Sequence, residues 1–492
     1  MSMSSDVSTT VPVAVDTSRP APGVSAAPLA DLTGIGLFTL ITGAFLPIMS
    51  FFVINVALPA IGSDLDASPA ALQLVVGSYG IANAALVVVG GRLGDAFGRR
   101  RLFLTGIASF TAFSLLCGLA HDVQTLLAFR VGQGASAALM TPQVLATISA
   151  TLVGESRMRA IGMFGAAGGV AAAAGQIVGG ALVSANVFGL DWRAVFLINV
   201  PIGAAAFLAA HRAIPETRAD VRLPIDVWGA GMLATTLLLL LLPLTEGRPL
   251  GWPVWTWIVL ASAVPVLAVL SVHQRRTERS GRVPLVPPSV LALPAMRIGM
   301  LIGIAFFTTF GGFMFTFALA TQGEAQMSPL RGGLTLLPMA IAFMIVSFVL
   351  PAVQRRWGAS VIARGWALQA VGYGLMAVMV LRGWPDISPL SLAAPMALAG
   401  AGGGLVMMPL FGVVLSQVPP QQAGLGSGIL ITMQQTCLAL GAATIGTLFL
   451  TWSSRAGSQG DGLAGVCGLI VAVALVSIPI SLQLTRIRSH TD

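Results

Sequence analysis

The stretch GRLGDAFGRRR, Gly91 to Arg101, gathers four arginines and one aspartate into a turn between two uncharged apolar runs, residues 67–91 and 102–121. A membrane-crossing helix needs about 20 predominantly apolar residues, and each run is long enough. Arginine collects in the short cytoplasmic loops of membrane proteins, so this turn assigns the cytoplasmic side and sets the alternation of every loop that follows.

The rest of the chain agrees with that reading. Of its 492 residues 56% are hydrophobic and only 9% charged, against roughly 25% charged in an ordinary globular protein. A polytopic membrane protein is expected. All 26 basic residues are arginine and the net charge is +8; in a soluble protein that balance would suggest nucleic acid. Here the arginines lie in loops between apolar runs with no interleaved aromatics, so no nucleic-acid partner is expected. Cys117, Cys437 and Cys467 fall inside apolar runs and read as small buried hydrophobes, not as a disulfide framework or a metal site. Residues 1–30, rich in Ser, Thr, Pro and Ala, cannot bury enough apolar surface to fold and read as a disordered cytoplasmic tail.

Charge-free intervals count the crossings. Twelve are single spans, and the interval 387–454 is long enough for two, broken at VPPQQAGLGSG, Val418 to Gly428, where paired prolines and glycines make a turn. Fourteen helices with both termini on one side follow. With the Gly91–Arg101 turn inside, the inner loops and tails hold 20 arginines and the outer loops five, leaving Arg130 embedded. Trp252, Trp255, Trp257, Trp384 and Trp452 then fall at outer helix ends, where interfacial aromatics belong. FGRRR at Phe97–Arg101 and QRRWG at Gln354–Gly358 both occupy the second-to-third connection of a six-helix unit, a sign of internal duplication. The expected division is a six-helix bundle over 31–212, a linker with two extra helices over 213–296, a second six-helix bundle over 297–485 and a cytoplasmic tail over 486–492.

GRLGDAFGRRR is similar to the signature loop of the major facilitator superfamily, and fourteen spans point to its drug:proton antiporter branch, the EmrB/QacA-type multidrug efflux transporters. VINVALPAI (Val53–Ile61) resembles the branch's first helix. LLAFRVGQGASAALMTP (Leu126–Pro142) resembles its fourth-helix arginine motif, and AAAAGQIVGGAL (Ala171–Leu182) its fifth-helix antiporter motif. DWRAVFLINVPIG (Asp191–Gly203) matches the family's start of helix six. The resemblance implies an all-α major facilitator fold, two six-helix bundles plus two inserted helices, and a multi-pass protein of the bacterial plasma membrane.

It also implies roles. The loop residues Gly91, Asp95, Gly98, Arg99 and Arg100 resemble the family's latch between halves, although one family arginine is Ala96 here. A second reading is that these arginines only set orientation. Arg130 corresponds to the family arginine tied to proton coupling. A guanidinium at mid-span costs about 2.5–3.5 kcal/mol on insertion scales, so it must meet polar groups or a water-filled cavity; a structural arginine satisfied by carbonyls and Gln133 is the alternative. Span five is a run of glycine and alanine that suits a mobile interface or static close packing. Where the family has proline after Gly175, this chain has Gln176. Asn55, Tyr79, Gln143, Gln176, Gln369, Tyr373, Gln434 and Gln435 are candidate cavity liners, because lipid-facing amides are costly; tying helices together is the other reading of each.

No acid falls at mid-span: Asp31, Asp226 and Glu324 lie near helix ends, and Ser50 stands where the family's first helix carries aspartate. A neutral or anionic substrate is therefore expected, with protons as the coupling ion carried by Asp95 or a helix-end acid. His121, His211, His273 and His490 read as solvated residues at loops or ends. With no lysine the chain has no nucleotide-binding glycine loop, and no histidine pair has metal-ligand spacing; neither an enzyme nor a cofactor is expected. The favoured function is secondary active efflux of amphipathic drugs, antibiotics or secondary metabolites by alternating access, as a monomer. Nutrient uptake by the same fold, faintly suggested by IPETR at Ile214–Arg218, and a non-transporting scaffold or sensor are the alternatives.

Overall fold

A computed structural model describes residues 32–217, 226–247, 250–282, 284–416 and 423–488. The tail 1–30, the prolines of the Val418–Gly428 turn and the last four residues lie outside them. Fourteen long helices run through the described residues: α1 Gly34–Asp64, α2 Pro69–Phe97, α3 Arg99–Gly118, α4 Val123–Thr151, α5 Gly154–Ala185, α6 Asp191–Ala213, α7 Val227–Glu246, α8 Val254–Arg279, α9 Pro294–Gln322, α10 Pro329–Trp357, α11 Val361–Gly383, α12 Ala393–Ser416, α13 Ala423–Ala456 and α14 Gln459–Arg488. Side chains written just ahead of the apolar runs start several of them. Thr33, Ser68, Asp122 and Asp226 each accept a backbone N–H from the first turn of α1, α2, α4 and α7, satisfying donors that have no partner within the helix.

Thirteen of the fourteen are long and apolar enough to cross a membrane. The exception, α4, is 29 residues long but diluted by Arg130, Gln133 and Gln143, all buried. Its polar groups face protein, which is how a membrane helix carries them.

The duplication expected from FGRRR and QRRWG appears as a repeated packing scheme. In the first bundle α1 packs on α5 and α6, α2 on α4, and α3 on α4 and α6; in the second α9 packs on α13 and α14, α10 on α12, and α11 on α12 and α14. Each partner in the second set lies eight helices on from its counterpart. The two connections also share a backbone device, since Gly98 (φ 111°) and Gly358 (φ 57°) hold conformations that a Cβ makes costly. The bundles meet along two related seams, α2 against α13 and α5 against α10. The inserted helix α7 lies over the first seam. Its Leu237 packs with Ala84 and Ala85 of α2, and its Leu241 with Ile81 of α2 and Ala439 of α13.

Candidate functional site

A chamber lies between the bundles, with about 880 Å³ of space between its atoms, its mouth included. Phe51 and Phe52 of α1, Gln176 of α5, Phe306, Phe307 and Phe310 of α9, Phe343 of α10, Gln369 and Tyr373 of α11 and Gln434 and Gln435 of α13 line it, and among the described residues none that lines it is charged. Phe306 and Phe310, one turn apart on α9, stack at 5.9 Å with planes 7° apart, and Phe52 meets Phe310 edge-on at 5.7 Å. Five of the eight polar residues expected on a cavity wall are therefore brought together here. Asn55, Tyr79 and Gln143 lie elsewhere: Asn55 is buried within the first bundle, Tyr79 sits under Arg130, and Gln143 donates to the carbonyls of Gly90 and Leu139 in the α2/α4 seam.

At the end remote from the arginine-rich turns, α5 and α10 seal the chamber backbone to backbone. A Cβ on Gly180 would lie 2.4 Å from the Pro329 carbonyl oxygen, and one on Gly333 would lie 2.5 Å from that of Gln176. Ser184 Oγ accepts the Leu330 N–H at 3.2 Å across the same seam. Only glycine permits this approach, the small-residue packing that brings membrane helices into contact. Toward the other end Gly162 of α5 and Gly412 of α12 face open space.

Arg130 is fully buried inside the first bundle, away from the chamber wall. Its Nε donates to the Val75 carbonyl at 3.1 Å and a terminal nitrogen to Gln133 Oε1 at 2.7 Å, while the other terminal nitrogen has no partner. The guanidinium lies 4.4 Å from the Tyr79 ring centroid and 5.8 Å from that of Phe196. Gln133 passes the contact on, donating to Ser114 Oγ at 2.7 Å and Ser50 Oγ at 3.2 Å. Neutral dipoles and ring faces thus surround the charge, and the position of the family's first-helix acid reaches it only through Gln133. Phe51, on the chamber wall, lies 6.1 Å from Tyr79, so a single ring separates the chamber from the ring under the guanidinium.

The signature turn is tied down from several sides. Arg99 pairs with Asp95 at 2.9 Å and donates to the Ala146 carbonyl of α4 at 3.3 Å. The first backbone donors of α3 are satisfied by the segment after α6: Arg99 N–H by the Thr217 carbonyl at 3.0 Å and Arg100 N–H by Glu216 Oε1 at 3.2 Å. The Glu216 carboxylate also lies 3.9 Å from Arg101, its negative charge set at a helix N-terminus. Gly91 rests near Pro142 of α4, and Gly98 leaves room for the Glu216 carboxylate. All of these contacts stay within the first bundle and the segment after α6.

The remaining arginine of the turn, Arg92, is buried and donates to the Pro284 carbonyl of the linker at 3.0 Å. Beside it Asp226 Oδ1 accepts the Gly229 N–H and meets His273 Nε2, both at 2.8 Å, while Oδ2 accepts from Gln274 at 2.9 Å. Gln274 in turn accepts the Val286 N–H at 3.0 Å. Burial pushes the Asp226 carboxyl upward, but the hydrogen bonds from His273, Gly229 and Gln274 outweigh it and hold the group below the usual carboxylate range. The expectation that His273 is a solvated residue at a loop or helix end is corrected: it joins α8 to the start of α7 through Asp226. At the opposite end Arg193 of DWR pairs with Asp64 at 2.7 Å, and Trp192 donates to the same carboxylate at 2.9 Å.

Asp64, Glu216 and His273 escape a reading of the sequence as site residues, and Asp226 is legible there only as one of the helix-end acids. Asp226 carries a legible signal, an acid just ahead of an apolar run; each of the four has a partner 47 or more residues away, which no local pattern encodes.

A family model described as the Major Facilitator Superfamily matches residues 40–442. The chain is 37% identical over 414 residues to a protein of Streptomyces coelicolor named "Probable actinorhodin transporter", covering 83% of this chain and 72% of that one. It is 34% identical over 450 residues to "Cephamycin export protein CmcT" of Amycolatopsis lactamdurans, covering 89% and 90%. Among solved structures, a peptide transporter POT in complex with sulfate superposes with a TM-score of 0.67 at 15% identity over 93% of this chain and 97% of that one, a likeness of fold alone.

Proposed function

Because this chain belongs to the Major Facilitator Superfamily and is a membrane-spanning efflux transporter of small molecules, not an enzyme, we propose how it works and what it carries. Two bundles, 31–212 and 297–485, rock about the uncharged chamber. With the arginine-rich turns in the cytoplasm of a bacterium and both termini on that side, the α5/α10 seam closes the outer end and the chamber opens inward to collect substrate. The substrate is an amphipathic neutral or anionic compound, an antibiotic or secondary metabolite like the cargo named for the relatives. The observation that carries this reading is a wall of phenylalanine, methionine and glutamine without one carboxylate among the described residues, which offers a cation no counter-charge.

Protons entering the cell drive export, and the chain acts as a monomer. Arg130 responds to chamber occupancy through Tyr79 and Phe51, with Asp95 or a helix-end acid as the proton-exchanging carboxylate. Reconstitution into liposomes with a panel of neutral, anionic and quaternary cationic dyes, with and without an imposed pH gradient, tests both parts. Gradient-dependent movement of neutral or anionic dyes is the expected result. Robust movement of a quaternary dye would overturn the substrate charge, and accumulation indifferent to the gradient would overturn proton coupling.

A further inference from the structure

We infer that Gln176 reads an oxygen acceptor on a flat aromatic substrate whose rings lie against Phe306 and Phe310. The inference rests on the chamber being the transport site. Gln176 is 1% exposed, lies on the chamber wall and leaves its side-chain Nε2 without a hydrogen-bond partner. An amide donor buried and unpaired costs about 1–3 kcal/mol, and among the described residues with an unpaired buried side-chain atom Gln176 is the one that lines the chamber. The Gln176 side chain interrupts a helix of glycine and alanine, and the residue's backbone carbonyl rests against Gly333. The unpaired NH₂ thus stands just beneath the seal, a donor awaiting an acceptor that enters with the ligand.

The aromatic part of the chamber wall specifies the body of that ligand. The near-parallel rings of Phe306 and Phe310, with Phe52 set edge-on to Phe310, present a face and an edge meeting at a corner. Trp366 backs Phe306 at 6.1 Å and is itself fully buried, so the platform is held rigid. Aromatic rings favour such offset and edge-to-face arrangements over loose apolar contact. The ligand class that satisfies platform and donor together is a polycyclic aromatic bearing ring carbonyl oxygens, neutral or carrying an acid.

Anthraquinone-2-sulfonate and anthracene-2-sulfonate form a matched pair for the test, since ring frame and anionic group are shared and only the two carbonyl oxygens differ. Binding of each to the purified full chain is measured by equilibrium dialysis for the unmodified protein, Gln176→Met and Phe310→Leu. The unmodified chain is expected to prefer the quinone by roughly tenfold, the worth of about one hydrogen bond to a buried donor. Gln176→Met is expected to lose that preference while keeping its affinity for the anthracene, a retained affinity that also reports intact folding. Phe310→Leu is expected to weaken both probes alike. A preference unchanged in Gln176→Met, as for an amide satisfied by water, overturns the inference, and so does failure of the unmodified chain to bind either probe. If dyes of the liposome panel still move across the membrane in that case, the transport reading stands while this assignment falls; if no dye moves, the transport reading fails on its own evidence.

Discussion

Gly180→Ala drives a methyl group into the seam between α5 and α10. The new Cβ would lie 2.4 Å from the Pro329 carbonyl oxygen and 2.7 Å from the Leu330 Cα, and these are backbone atoms that cannot swing aside. Overpacking of this kind costs about 1–3 kcal/mol. The cost is felt only while the seam is shut, so the balance between sealed and unsealed outer ends moves toward unsealed by roughly 5- to 150-fold at about 1.4 kcal/mol per decade. Spin labels at Phe188→Cys and Leu390→Cys, exposed positions of the two halves, read the opening as a distance distribution; the native cysteines are buried. Gly162→Ala on the same helix is the control, because its methyl would meet nothing within 4 Å. The distribution is expected to shift to longer distances in Gly180→Ala alone, with gradient-driven transport reduced. Identical distributions for Gly180→Ala and the unmodified chain would refute the argument that direct backbone contact seals this end.

Three further outcomes are expected. Arg130→Met removes a fully buried charge and with it an insertion cost of about 2.5–3.5 kcal/mol, so membrane yield should hold or rise while transport stops responding to a pH gradient; a retained response would show that the guanidinium is structural only. Glu216→Ala deletes the acceptor for the Arg100 N–H at the start of α3 and should lower stability by about 0.5–2 kcal/mol, the range for a lost helix cap, with Glu216→Gln losing less in thermal unfolding. Asp226 has its carboxyl held below the ordinary range, so its stabilising contribution is complete above about pH 4, its ordinary value, and disappears as pH falls through the lower folded-state value. The gap in unfolding temperature between the unmodified chain and Asp226→Asn should therefore be constant from neutral pH to about pH 5 and shrink below about pH 4; a gap that closes already between pH 7 and pH 5 would contradict the assigned hydrogen bonds.

The fold was legible in the sequence because it rests on local composition. Each helix crosses lipid by its own apolar length, each arginine in a loop carries its own cost of insertion, and those costs sum along the chain without reference to distant residues. Helix α4 marks the boundary of that legibility: Arg130 dilutes its hydropathy below that of the other spans, and only its position between apolar neighbours identified it as a crossing. The repeated connections at Phe97–Arg101 and Gln354–Gly358 likewise told of two halves, since a glycine-arginine turn is a local object.

Which polar side chain meets which neighbour was decided by the tertiary structure alone. Gln143 and Gln176 are both glutamines in small-residue helices, yet one ties α2 to α4 and the other stands unpaired on the chamber wall. His273 meets Asp226 from 47 residues away, and Glu216 caps a helix 116 residues before it. Hydrogen bonds and ion pairs act over a few ångströms, so their partners are set by how helices cross, and the sequence specifies that crossing only through the packing of the whole.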